Sequence, residues 1–391
     1  MEPRGQDPRP RPQDPGQGTW QILQTYTRDL SQRDLKHLFT LETPEAYRFF
    51  ARGIDERTLA GLPWHRRVAS RCRQFLIAFT STLSPARRLL YGVGLLAAVV
   101  GLLQRWPNST FWLLAGFVAM NLLVLLEVAD RLTLKRDLEV ARDIQMTMLP
   151  REMVIGGGLE AYGSTRPANT VGGDFYDVLK MPDGRLVLAL GDVAGKGSPA
   201  ALLMALVLAI LRTLVEERLP PEAIAQRLNV QVVRHAPSSR FVTLCFAIFD
   251  PDTGELEYVN AGQTPPLLRR ADGAYERLSE GGVALGMFER AVYSTCRTRL
   301  DHGDVLVFYS DGITEAENAG GVPFDEGRLQ AVIDGHWWQD AAALGRAVVA
   351  SVEEYALDTR LADDLTVLAA RRPLPLPVAD DAGFRARPAS A

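Results

Sequence analysis

Hydrophobic and polar positions change rhythm five times along this chain. In residues 1–18 no aliphatic side chain follows Met1, and Pro, Gly, Arg and Asp dominate. Such a stretch buries too little surface to offset the entropy of ordering and holds no apolar signal-peptide core, so it reads as a disordered tail. From Trp20 apolar residues recur at three- and four-residue steps, as in TWQILQTYTRDL, which predicts a helical N-terminal region over 19–86.

Two nearly continuous apolar runs follow, Leu89 to Leu103 and Phe111 to Val128, separated by QRWPNST. They are about 15 and about 18 residues long, near the length that crosses a hydrocarbon core. In the second run Asn121 is the one clearly polar side chain before Glu127. The pattern predicts a two-helix transmembrane hairpin over 87–128. Arg66, Arg67, Arg71, Arg73, Arg87 and Arg88 precede it, Arg131, Lys135 and Arg136 follow it, and the turn holds Arg105 alone. Basic residues gather on the cytoplasmic side, so both ends are expected there. The alternative is a buried helical hairpin of a soluble protein, because the first run is short for a bilayer.

Over 129–150 a linker or signalling helix is predicted. Leu134, Leu138, Ala141, Gln145 and Met148 fall at alternating steps of four and three, an apolar seam that one Gln interrupts, and Pro150 ends it. The seam fits a parallel coiled coil that pairs two protomers into a homodimer. It fits equally a single helix laid against the following domain, and two heptads do not separate the readings.

From residue 151 to 372 the texture is one of short strands and turns. RLVLALGDV and FVTLCFAIFD read as buried strands, ELEYVNAG returns across a PDTG turn as a hairpin, and DVLVFYSDG and DDLTVLAARR add two more. SPAALLMALVLAILRTLVEERL has an apolar run of only about 13 residues before Arg212, which suits a core helix better than a third membrane pass. Residues 373–391 read as a second disordered tail.

Composition adds three limits. At 391 residues the chain is long enough for two or three domains. Its net charge of −4 argues against a general nucleic-acid binder. Cys72, Cys245 and Cys296 are scattered and form no CxxC pair, so neither a disulfide framework nor a zinc site is expected, and the soluble parts fit a reducing compartment.

Candidate chemistry lies in four aspartates at strand ends or turns: Asp174 in GGDFYD, Asp192 in GDVAGKG, Asp311 in YSDGITE and Asp363 in DDLT. Carboxylates without sulfur or imidazole select Mg2+ or Mn2+. Two such ions a few ångströms apart activate water against phosphorus and neutralise the phosphoryl oxygens, with no protein nucleophile required. Gly172, Gly173, Gly191 and Gly312 permit close backbone approach, so that the Val193 carbonyl can also reach a metal. Taken singly, each motif is also an ordinary turn or strand-start. GDVAGKG is not a phosphate-binding P-loop, because Gly191 and Gly195 bracket three residues rather than four and Gly197, not Ser or Thr, follows Lys196.

The series ARDIQMTMLP, PANTVGGDFYDV, LALGDVAGKGSPAALLMA, FVTLCFAIFDPDTGELEYVNAGQTPPLLRR, LVFYSDGITEAEN and ADDLTVLAARR, over roughly Glu139 to Arg371, resembles the SpoIIE and RsbU-type branch of the PPM (type 2C) metal-dependent protein serine/threonine phosphatases. The resemblance implies an α+β fold, a PPM-type antiparallel β-sandwich flanked by helices, with the helical N-terminal region and transmembrane hairpin ahead of it. It implies Mn2+ or Mg2+ as cofactor, two ions with a third left open. Asp192 would bridge both ions, the Val193 carbonyl would join one, and Asp311 and Asp363 would hold the second. Asp174 would orient the attacking water or support a further ion, which makes Asp174 and Asp192 the catalytic pair, and Asp364 would stand behind Asp363. Eukaryotic members grip phosphate with an arginine shortly before their first acidic motif. Here the nearest is Arg166, at a longer spacing, and Lys196 with its glycine-rich turn is the other candidate.

The resemblance also implies a phosphorylated protein as substrate, with phosphoserine or phosphothreonine on an anti-sigma-factor antagonist in partner-switching signalling as the expectation. It further suggests that the 129–150 helix couples input to catalysis. Together with the charge pattern, the expectation is a two-span protein of the inner, or cell, membrane with both termini and the phosphatase domain cytoplasmic, and with no nucleic-acid partner. The alternatives are a catalytically silent phosphatase-fold scaffold that binds regulatory partners, disfavoured by the presence of all four acids, and a metal-dependent nucleotidyl cyclase, disfavoured by motif order.

Overall fold

The computed structural model describes residues 63–103, 109–150, 152–237, 239–357, 359 and 361–374. The predicted tail over 1–18, the first part of the helical region (19–62), the hairpin turn around Arg105 and most of the tail over 373–391 lie outside the described residues. The chain divides into two units, Met1–Arg131 and Leu132–Ala391.

In the first unit, α1 (Trp64–Thr82) and α2 (Pro85–Leu103) are followed by α3 (Ser109–Met148), a 40-residue helix that continues into the second unit without a break at 128. No Pro or Gly interrupts α3 between Gly116 and its end, so nothing local stops the helix where the apolar run gives way to the charged one. Small residues bring α2 and α3 together: a Cβ on Gly116 would meet the Gly94 carbonyl oxygen at 2.9 Å, and one on Gly101 would meet the Leu113 side chain at 2.8 Å. Close backbone approach through glycine is the packing mode of helices in lipid. Leu96, Leu102, Phe111, Phe117 and Leu125 stay largely exposed on the pair. At its base Arg87 reaches Asp130 at 2.6 Å and Glu127 at 3.2 Å.

The second unit is a β-sandwich. One sheet has the order β1 (Val154–Gly156), β2 (Leu159–Arg166), β12 (Leu365–Arg371), β11 (Val305–Tyr309), β7 (Leu267–Arg269) and β8 (Tyr275–Arg277). The other runs β10 (Cys296–Arg299), β6 (Glu255–Ala261), β5 (Val242–Phe249), β4 (Leu186–Val193) and β3 (Phe175–Lys180). All these pairings are antiparallel; the short β9 (Gly281–Gly282) adds a parallel pairing to β6. The expected β5–β6 hairpin is present, with Phe249 opposite Leu256.

Alternation within strands assigns the layers. Leu306 and Phe308 of β11 and Leu368 and Ala370 of β12 join the core between the sheets. Their neighbours Val305, Val307, Tyr309, Val367 and Ala369 point the other way, beneath α7 (Asp325–His336) and α8 (Ala341–Tyr355). On the second sheet, α4 (Ser198–Glu216) packs on β3 and β4, and α5 (Pro221–His235) packs on β5 and β6. Length and composition alone would let α2, α3 and α4 each span a membrane. Among them α4 buries Leu203, Met204, Val207, Leu208 and Leu211 in the domain core, as its short apolar run predicted.

Candidate metal centre and its relatives

The four aspartates emerge at one end of the sandwich because each strand that carries one either starts or stops there. Asp174 precedes β3, and Phe175 pairs with Gly191, which sets Asp174 beside the end of β4 where Asp192 sits. Ser310 closes β11 and Asp311 opens the short helix α6 (Asp311–Glu315), while Asp363 and Asp364 lead into β12. Ser310 fastens these two ends: its hydroxyl donates to the Asp364 carbonyl at 3.0 Å and accepts from the Thr366 amide at 3.1 Å.

Glycine at 173 is demanded by this geometry. A Cβ there would lie 2.7 Å from Asp192 Oδ1 and 2.8 Å from the Val193 carbonyl oxygen, so a carboxylate and a main-chain oxygen face the same point beside the loop. The loop is held from two directions. Asp364, which is buried, accepts from the Gly173 amide at 2.9 Å through Oδ2 and from the Ala168 amide at 2.8 Å through Oδ1. On the other side, the buried Gln145 amide donates to the Gly172 carbonyl at 2.9 Å and accepts from the Gly172 N–H at 3.3 Å. The Gln that interrupts the seam is therefore a clasp between α3 and the GGD loop. Leu138, Ala141 and Met148 on the same stripe are half-buried, whereas Leu134 is exposed. Over 138–148 the helix is laid against the domain, the second of the two readings of the seam.

Burial and mutual repulsion shape the electrostatics. Asp174 is 4% exposed, and its Oδ2 has no hydrogen-bond partner. Burial, reinforced by the Asp192 carboxylate, drives the Asp174 carboxyl well above the ordinary range, with the Thr366 and Ser310 hydroxyls opposing. Burial also pushes Asp192 up to about 6; the Asp174 carboxyl moderates this as a hydrogen-bond donor, while Asp311, Asp363 and Asp364 add to it. Asp311 is raised by burial and by Asp363, and Lys196 pulls the other way. Asp174, Asp192 and Asp311 thus each register the charge of another acid distant along the polypeptide.

Among the described residues, no three His, Cys, Asp or Glu side chains close into a ready-made metal cage. Two of the acids are turned to other partners: Asp363 to the Lys196 ammonium at 3.0 Å and Asp364 to the GGD loop amides. The donor set nevertheless suits a hard divalent cation. It consists of oxygens alone, one of them an unpartnered buried carboxylate oxygen, and its negative charges repel one another until a cation is shared.

Other residues singled out by spacing lie elsewhere. Arg166 stands opposite Leu365, beside the aspartate end of β12, but its guanidinium is ion-paired with Glu353 of α8. Asp177, the second acid of GGDFYD, is buried in β3 and bonded at 2.7 Å to Arg212, whose other nitrogen donates to the Met148 carbonyl. It is a structural ion pair. Gln145, Ser310 and Thr366 escaped the sequence reading as site residues. A polar side chain inside an apolar seam was the available signal for Gln145; Ser310 and Thr366 look like ordinary strand-end residues.

Residues 182–373 match the family described as stage II sporulation protein E (SpoIIE). Over this domain the chain is SpoIIE/RsbU-like, similar to that branch of the PPM phosphatases. Among its relatives, "Phosphoserine phosphatase RsbU" of Bacillus subtilis (strain 168) is 28% identical over 240 residues, which cover 61% of this chain and 71% of that protein. "Protein IcfG" of Synechocystis sp. is 28% identical over 223 residues, covering 50% of this chain but only 35% of its own length. The SiaA-PP2C domain of Pseudomonas aeruginosa aligns with a TM-score of 0.55 at 23% identity, over 62% of this chain and 98% of that one. The PP2C phosphatase domain of SpoIIE from Bacillus subtilis, solved with a fragment of its regulatory domain, gives 0.50 at 19% identity, over 56% and 63%. These two structures share the PP2C fold, in agreement with the sandwich expected for a SpoIIE-family domain.

Proposed function

We propose that this chain is a membrane-tethered, Mg2+- or Mn2+-dependent protein phosphatase that hydrolyses phosphoserine or phosphothreonine on a protein partner. The observation that carries it is the approach of Asp192 Oδ1 and the Val193 carbonyl to one point beside Gly173, with the charge of Asp311 and Asp363 reaching Asp192. In this reading Asp192, the Val193 carbonyl, Asp311 and Asp363 hold two ions, and Asp174, with its unpartnered oxygen, orients water or serves a third. Bound there, the ions neutralise the phosphoryl oxygens and lower the pKa of water. Asp364 and Gln145 keep the GGD loop in register, so Asp174 is positioned beside Asp192 before substrate arrives. Water adds to phosphorus, the ester bond to the seryl oxygen breaks, that oxygen takes up a proton, and inorganic phosphate leaves.

The naming of RsbU as a phosphoserine phosphatase supports the substrate class. Family resemblance points further, to a small anti-sigma-factor antagonist in partner switching. The membrane tether is supported by the exposed apolar faces of α2 and α3, by their glycine-mediated contact and by the arginines that flank them. Both termini and the domain would then be cytoplasmic.

The engagement of Asp363 by Lys196 and of Asp364 by the loop amides favours a second reading, a silent scaffold of the same fold. One experiment separates them: the full chain in lipid nanodiscs, with Mn2+, is given p-nitrophenyl phosphate and a phosphoserine peptide. Metal-dependent turnover is expected, and Asp192→Asn is expected to lower it by at least about a hundredfold, since loss of a mere outer-shell partner already costs 10–100-fold. A wild-type protein that takes up Mn2+ and turns over neither substrate is a scaffold.

A further inference from the structure

We propose that Lys196 is the phosphate-gripping residue of this domain, and that in the metal-free protein the same ammonium stands in for a cation at Asp363. The inference rests on the metal-dependent reading above and names a residue that reading lacks.

The turn that carries Lys196 leaves β4 directly after Asp192 and Val193. It is bounded by Gly195 (φ +102°) and Gly197 (φ +78°), a left-handed path that suits glycine and swings the lysine back over the strand ends. Its Nζ lies 3.0 Å from Asp363 Oδ2 and also donates to the Ala362 carbonyl. Among the described residues this is the sole ion pair made by Asp174, Asp192, Asp311, Asp363 or Asp364. Arg142 lines one of the grooves beside Lys196 but, among the described residues, makes no ion pair with the aspartates; three other arginines have partners of their own. Arg166 is held by Glu353, Arg212 by Asp177, and Arg240 donates to the Ala194 carbonyl at 2.9 Å behind the turn.

The Lys196 and Asp363 side chains are 53% and 44% exposed, so the pair is weak and exchangeable. A divalent cation can displace the ammonium from Asp363 at little cost, and a four-carbon stem lets the freed charge move several ångströms. Two grooves receive it. One, of about 390 Å³, is lined by Gly312, Glu315 and Asp363 as well as Lys196. The other, of about 700 Å³, is lined by Arg142, Asn169, Thr170, Ser198 and Lys196 and contains no carboxylate, which suits a phosphorylated segment. A lysine grips phosphate as a point charge and needs no fork geometry, so a mobile one serves where a fixed arginine is missing.

The test uses the full chain in nanodiscs as wild type, Lys196→Gln and Lys196→Arg; the lysine is half-exposed on a turn, so the fold does not depend on it. Mn2+ is titrated calorimetrically into metal-free protein without substrate. KM and kcat for a phosphoserine peptide, and inhibition by inorganic phosphate, are measured with Mn2+ saturating. Removing the resident ammonium is expected to tighten Mn2+ binding several-fold in Lys196→Gln. The same variant is expected to raise KM and the phosphate inhibition constant by about tenfold, the scale of one charge-assisted hydrogen bond, with kcat changing less. Lys196→Arg recovers phosphate inhibition. Wild-type KM and phosphate inhibition in Lys196→Gln overturn the grip, and unchanged or weaker Mn2+ binding overturns the stand-in. A wild type that binds Mn2+ without turning over any phosphoester overturns instead the phosphatase reading itself.

Discussion

Metal-free protein should become more stable on mild acidification, and Asp192 sets the scale. Its carboxyl titrates at about 6 in the folded protein, chiefly because it is buried, against an ordinary value of 3.8. A group whose folded pKa is raised contributes stability that is fully present below the unfolded value and lost as pH rises through the folded one. Across that whole window the contribution is about 3 kcal/mol; between pH 7.5 and pH 5.5 it is about 0.8 kcal/mol. For a domain of this size that corresponds to a rise of about 2–3 °C in Tm on going to pH 5.5. Burial raises Asp174 and Asp311 too, so they add to the same trend. Metal binding has the opposite dependence, since ligands must lose their protons: Mn2+ should raise Tm more at pH 7.5 than at pH 5.5. The assay is thermal unfolding of the full chain in nanodiscs, with chelator or Mn2+ at both pH values, for wild type and Asp192→Asn. The variant should lose about 2–3 °C of the acid-induced gain in chelator, together with most of the Mn2+ effect. Equal pH slopes in wild type and Asp192→Asn, or a Mn2+ shift independent of pH, would refute the idea that these carboxylates are strained by sharing one pocket.

Two further substitutions probe the supports of the site. Gly173→Ala puts a Cβ into Asp192 Oδ1 and the Val193 carbonyl, so calorimetric Mn2+ affinity should drop by at least about tenfold while the sandwich still folds, as for lost outer-shell support; wild-type affinity would mean that the loop yields freely. Arg212→Ala strands the buried Asp177 carboxylate and frees the Met148 carbonyl, which should cost about 3–5 kcal/mol by chemical denaturation, and a loss below about 1 kcal/mol would show that water replaces the guanidinium.

What the sequence disclosed, and what it withheld, follows from the range of the forces involved. The apolar runs in DVLVFYSDG and DDLTVLAARR announced strands, and the structure buries both of their faces, one in the inter-sheet core and the other beneath α7 and α8. The reading of α4 as a core helix agrees with the burial of Leu203, Met204, Val207, Leu208 and Leu211, although its length and composition alone would also suit a membrane span. Ligand candidates were legible as acids at strand ends. Their orientation was not, since the side-chain direction of Asp363 and Asp364 depends on which cation or amide lies across the gap. Asp364 turned out to be the clamp of a loop about 190 residues away, with Lys196 the partner of its neighbour Asp363. The seam around Gln145 gave equal support to two readings because a short apolar stripe with one polar member records only that something covers it. Over 138–148 that something is the GGD loop and its surroundings, and the amide in the stripe is what the loop's own peptide group requires. A polar residue on an otherwise apolar face is thus best read as the address of a distant backbone group, and here the address leads to the loop that carries Asp174.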